Sequence, residues 1–210
     1  RLFTALVIGL TAYLIFRLGR KANADERVGW AAGIAYLLLS SIFKFYGLSP
    51  NTELFFVPFA VAAVLLVWGE KQQWYHFASA GLLLGAGFVI KYVIAADAFA
   101  IGAFLLWRGW RQQGLSKAIL QQCFPLTLAF FIPLGIVYGY YASIGHLDSF
   151  LFYTFDVTSR YPVEASWGRR LLFTLEFFGR FFPFTLLAIF AVRERLPQDR
   201  SWQGFLLFWL

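Results

Sequence analysis

Residues 74–107 read WYHFASAGLLLGAGFVIKYVIAADAFAIGAFLLW. From about Trp74 to Ile90 the residues are almost all apolar or small, close to the roughly 20 that a helix needs to cross a hydrocarbon core. Lys91 and Tyr92 interrupt the run, and from about Val93 to Trp107 a second, shorter apolar run follows. Two such runs around one lysine predict two membrane-crossing helices joined by a tight reversal. Gly81, Gly85 and Gly87 suit close helix packing through small residues. No strand precedes them, so a cofactor-binding glycine loop is not indicated.

The same pattern recurs on both sides of this hairpin. Apolar segments run from about Leu2 to Leu18, Val28 to Tyr46, Glu53 to Trp68, Ala118 to Tyr141 and Leu171 to Val192. With the hairpin they make seven spans, and an eighth begins near Trp202 and is cut off at Leu210. The fold class expected is all-α, a polytopic transmembrane helical bundle forming a single transmembrane domain over residues 1–210. The chain starts at Arg1 without a methionine and reads as an internal fragment of a longer protein. Composition agrees: the 210 residues are 60% hydrophobic and only 14% charged, where a soluble domain carries about a quarter charged residues. The net charge of +7 fits basic loops on one side of a membrane better than nucleic acid, which is not expected as a partner. Cys123 has no second cysteine to pair with and reads as a small packed hydrophobe.

The basic residues sort by side. Arg17, Arg20, Lys21 and Arg27 lie between spans one and two, Lys71 between three and four, Arg108, Arg111 and Lys117 between five and six, and Arg193, Arg195 and Arg200 after seven. The opposite side has Lys44, Lys91, Arg160, Arg169 and Arg170, with Arg180 inside the seventh span. Eleven against five makes the first set cytoplasmic by the positive-inside rule. Trp68, Trp74, Trp107, Trp110 and Trp202 mark the cytoplasmic ends as an aromatic belt would.

The charges on the outer side are the candidates for chemistry, because ionisable groups in lipid usually face a cavity or a partner. Asn51 or Thr52 can cap the third helix, with Glu53 in its first turn; a role of Asn51 and Glu53 in a polar cavity is the functional alternative. Lys91, beside Tyr92, can snorkel to the interface or serve as an anion ligand. Asp97 lies about one turn inside the fifth span and needs a base, for which Lys44 and Lys91 are candidates. Residues 146–170 form an outer segment in which Leu147, Phe150, Leu151 and Phe155 keep helical spacing, as in a helix lying at the membrane surface. Arg160 and Tyr161 follow, then Glu164, Arg169 and Arg170; guanidinium groups suit phosphate. His146 has no second His or Cys at ligand spacing. A lipid bearing a phosphate headgroup fits this set better than a soluble nucleotide, since no phosphate-binding glycine loop is present.

Three passages resemble a family, the polyprenyl-phosphate-sugar glycosyltransferases of the GT-C fold, which include dolichyl-phosphate-mannose–protein mannosyltransferases and bacterial aminoarabinose transferases. Residues 1–14 with the basic stretch Arg17 to Lys21 look like the family's second span and cytoplasmic loop; residues 81–91 look like its glycine-rich helix ending in lysine; residues 147–153 with Ser159, Arg160 and Tyr161 are similar to its outer aromatic segment. Ile90 and Tyr92 depart from the threonine and glycine usual around that lysine. The resemblance implies an integral membrane enzyme of the bacterial inner membrane, with its site facing outward. It would move a sugar from a polyprenyl-phosphate carrier in the bilayer to an acceptor protein or glycolipid. Lys91 and Arg160 would stabilise the leaving phosphate, and Tyr92 and Tyr161 would contact sugar or phosphate. Glu53 and Asp97 would shape the cavity or hold a divalent metal ion. The resemblance puts the catalytic acid in a loop preceding Arg1, so no catalytic residue is assigned within the chain. The rival expectation is a transporter or flippase subunit for a lipid-linked or anionic solute, although no internal repeat supports it.

Overall fold

A computed structural model of the chain describes residues 1–23, 25–41, 50–69, 72–157, 160, 166–183, 186 and 205. Lys44, Lys71, Tyr161, Glu164, Arg193, Arg195, Arg200 and Trp202 lie outside the described residues. Most of those described are helical, with no strand among them. Contacts divide the chain into two compact units, one of residues 1–139 and 198–210, the other of residues 140–197.

The first unit holds α1 (Leu2–Asn23), α2 (Glu26–Ser40), α3 (Thr52–Val67), α4 (Trp74–Ile90), α5 (Ile94–Gln113) and most of α6 (Leu115–Ser143). Within α6, Ile119–Cys123 forms a wider π-type turn just before Pro125, which has no N–H to give a normal helical bond. Leu2–Ala22 and Leu115–Ser143 are long and apolar enough to cross a membrane; Thr52–Val67 and Trp74–Ile90 are apolar but shorter.

Contacts between helices give their directions. Gly29 and Gly33 of α2 lie against the carbonyls of Phe16 and Ala12, so α2 runs back along α1. Phe3 stacks on Phe55 with ring centroids 5.7 Å apart, while Lys21 Nζ donates to the Leu65 carbonyl at 3.2 Å, so α1 and α3 run parallel. Phe59 meets Gly87, and Glu53 meets Lys91, which sets α4 antiparallel to α3. A Cβ on Gly81 would overlap the Leu126 carbonyl, and one on Gly85 the Phe130 carbonyl, so α4 and α6 run parallel in backbone contact. Cys123 Sγ faces the Gly102 carbonyl at 3.8 Å, and Gly109 faces Ala118, placing α6 antiparallel to α5. The direction therefore alternates from α1 to α6, as the sorting of charge requires. Both close contacts use a glycine pair four residues apart, the spacing that lets two helix backbones approach. The core between α3, α4, α5 and α6 is built on Val64, Leu84, Ile94, Ile101 and Leu126, with Phe205 packed on Phe104.

Several boundaries differ from expectation. The fifth helix continues six residues past Trp107, through Gly109, and ends only at Gly114, whose φ of +90° suits glycine alone. Arg108, Arg111 and Lys117 thus sit on helix ends that meet at one glycine, not in a loop. Likewise Arg17, Arg20 and Lys21 belong to the last turns of α1, where cations are favoured by the helix dipole. Asp25 caps α2, its carboxylate accepting the Arg27 N–H at 2.8 Å.

In the second unit, α7 starts with Leu147–Leu151 and continues through a π-type turn, Phe152–Asp156. Phe150 stacks on Tyr141 at 4.4 Å. The next helix, α8, is Trp167–Arg180, so Arg169 and Arg170 fall inside its first turn and not ahead of it. Ser166 at its N-cap position starts the helix four residues before the apolar run at Leu171.

Candidate functional site

Helices of 16 and 17 residues bring together two of the residues assigned to the outer side by sequence. α3 begins at Thr52 and α4 ends at Ile90; the hairpin between them returns the chain to the level at which it started. Glu53 stands in the first turn of α3, where a carboxylate is favoured by the exposed N–H groups. Lys91 caps the C-terminus of α4 in extended conformation, its N–H bonded to the Gly87 carbonyl at 2.9 Å. Its ammonium donates to Glu53 Oε1 in a direct ion pair. The two residues are 38 positions apart in sequence.

The surroundings are polar on one side and packed on the other. Thr52 Oγ1 reaches Glu53 Oε2 at 3.4 Å. Asn51 occupies the N-cap position of α3, yet its side chain makes no capping bond; its carbonyl accepts the Leu54 N–H at 3.1 Å. The capping expectation therefore holds in position and not in side-chain bonding. Tyr92 follows Lys91 on the exposed turn into α5, and Ile94 behind it is fully buried against the core. Asp97 lies in the first turn of α5, partly buried. The lysine side chain is 29% exposed and the glutamate 46%. Lys91 caps the negative end of α4 and is ion-paired to a carboxylate, which fixes its ammonium in direction.

Arg160 belongs to the second unit. Its Nη2 bonds Asp156 Oδ2 at 2.8 Å, one helical turn back, and its side chain is 74% exposed. The four-residue spacing of Asp156 and Arg160 was an available signal for this pair, which the reading of Arg160 as a phosphate ligand passed over. Tyr161 lies outside the described residues. No group of three or more His, Cys, Asp or Glu that could hold a metal ion occurs among the described residues.

One feature escaped the sequence reading. At the other end of α3, a groove of about 570 Å³ opens among Tyr13, Arg17, Arg20, Lys21, Leu65 and Leu66. These basic residues were read as topology signals alone; the spacing 13, 17, 20 that puts them on one face was the available signal.

Residues 1–137 match the family model described as dolichyl-phosphate-mannose-protein mannosyltransferase. The matched stretch includes α1 to α5 with Glu53, Lys91 and Tyr92, and ends within α6. Neither a curated protein nor a solved structure matches the chain.

Proposed function

Because the chain belongs to the dolichyl-phosphate-mannose-protein mannosyltransferase family, a family of membrane glycosyltransferases, we propose that it transfers a sugar from a polyprenyl-phosphate carrier to a protein or glycolipid acceptor at the outer face of the membrane. The ion pair of Lys91 with Glu53 is the observation that carries the reading. Breaking the bond between sugar and phosphate leaves charge on the carrier phosphate, and a cation already fixed in direction stabilises that charge without reorganising. Lys91 meets this need at a helix end, with the exposed Tyr92 beside it for sugar or phosphate. Glu53 positions the ammonium, and in this scheme Asn51 and Asp97 join it in lining a polar cavity. For Arg160 and Tyr161 a contact to the phosphate is supported by the resemblance of residues 147–161 to the family's outer segment, not by packing against the first unit. The outer-face placement is supported by the positive-inside rule, since Glu53 and Lys91 lie at the helix ends away from Arg17, Arg20, Lys21, Arg108 and Arg111.

Sugar transfer from a radiolabelled polyprenyl phosphate by the full-length protein in liposomes tests the proposal. Lys91→Ala is expected to lower the rate about 100-fold, in line with loss of one preorganised donor, and Arg160→Ala to lower it less. Unchanged transfer in both variants would refute the phosphate site. Movement of a labelled solute without transfer would favour a transporter instead.

A further inference from the structure

We propose that the groove at the basic end of the first unit binds the phosphate headgroup of an anionic membrane phospholipid. The proposal does not depend on the transfer reaction, since the groove lies at the end of α3 opposite Glu53: Leu65 and Leu66 are 12 and 13 residues further along the helix, about 18–20 Å away.

Three cations line the groove, and no Asp or Glu lines it among the described residues. Each is held by a neutral group. Arg17 Nη1 donates to the Tyr13 hydroxyl at 3.0 Å, and its guanidinium lies over the Tyr13 ring at 5.8 Å. The Arg20 guanidinium lies over the Phe16 ring at 5.8 Å. Lys21 Nζ donates to the Leu65 carbonyl in the last turn of α3. Contacts of this kind orient the cations without neutralising them, so three like charges remain side by side and an anion among them relieves the repulsion. Arginine adds paired N–H groups that match phosphate oxygens.

A second observation distinguishes lipid from free phosphate. Along α1, Leu2, Leu6, Leu10 and Tyr13 are all more than half exposed and form one stripe at helical spacing. That stripe leads directly to Arg17 and Arg20. From Leu6 to Arg17 the helix rises about 16 Å, close to half of a hydrocarbon core of roughly 30 Å. An acyl chain lying on the stripe therefore ends with its headgroup at the cations, as basic pockets between membrane helices do for anionic lipids.

The test uses the full-length protein in detergent, titrated with phosphatidylglycerol, phosphatidylcholine or inorganic phosphate, with Kd read from the shift in Tm. Phosphatidylglycerol is expected to raise Tm by several degrees, while phosphatidylcholine and phosphate leave it unchanged. Arg17→Gln with Arg20→Gln, both exposed positions, is expected to weaken phosphatidylglycerol binding roughly thirtyfold, from about fivefold per cation. The Arg17→Lys, Arg20→Lys variant is expected to retain most of the affinity, which guards against a misfolded glutamine variant. Equal shifts with phosphatidylcholine would overturn the proposal. So would a shift with phosphate alone, or unaltered phosphatidylglycerol affinity in the glutamine variant.

Discussion

The two ends of α3 treat positive charge in opposite ways. At its N-terminal end Lys91 meets a carboxylate, and the pair is close to neutral. At its C-terminal end Arg17, Arg20 and Lys21 meet a hydroxyl, a ring face and a carbonyl, so their charge persists. The difference follows from which helices converge. The α3–α4 hairpin brings an acid and a base to one level, whereas α1 and α3 run parallel and bring the basic last turns of α1 beside a helix C-terminus. A helix C-terminus welcomes cations but carries only partial charge. One end is therefore set to hold a single directed ammonium, the other to attract anions from outside the protein.

The contrast depends first on the ends facing opposite sides of a membrane. In a Cys123→Ala background, cysteines at Val93 and Gln113, which bracket α5, are expected to label from opposite sides with an impermeant thiol reagent. This is an all-or-none result, and labelling of both from one side would remove the contrast altogether. Next in size is the contact that sets the level of Lys91. Gly85→Leu forces a side chain into the Phe130 backbone carbonyl, which cannot rotate away. It should lower stability by about 3 kcal/mol or more, read as a fall in Tm. Gly135→Ala, with open space around its Cβ, should change Tm little; equal falls would show that the α4–α6 approach does not hold the helix in place. The smallest effect sharpens the pair itself. A double-mutant cycle of Glu53→Ala and Lys91→Ala should give a coupling of about 1 kcal/mol, because both side chains are partly exposed. The same cycle on Tyr13→Phe and Arg17→Gln should give nearly zero. A coupling at the basic end as large as that of the ion pair would erase the distinction.

Much of this was legible beforehand because apolar runs and the breaks between them are local properties. Trp74–Ile90 emerged with the boundaries read from hydropathy, and the alternation of directions from α1 to α6 follows from those breaks. The readings that shifted are those in which a polar residue was equated with a loop. Arg108 and Arg111 are helical, since neither charge nor the packed Gly109 between them ends the helix, which stops at Gly114 with its positive φ. Lys91 was visible as an exception to the apolar pattern, but not the identity of its partner: Glu53 lies 38 residues away, and Lys91 was weighed instead as a base for Asp97. Arg160 was read as a phosphate ligand, and the structure shows the local bond to Asp156 that such a role must compete with.

Composition and periodicity by themselves determined that this chain is a bundle of apolar helices with its cations gathered at helix ends, because transfer out of water acts on each segment separately. The partners of those cations were decided only when the helices packed. Glycine pairs at 29 and 33, and at 81 and 85, let backbones touch and so fix which helix neighbours which. Side chains many residues apart reach one another through that packing, and no local property of either residue records it.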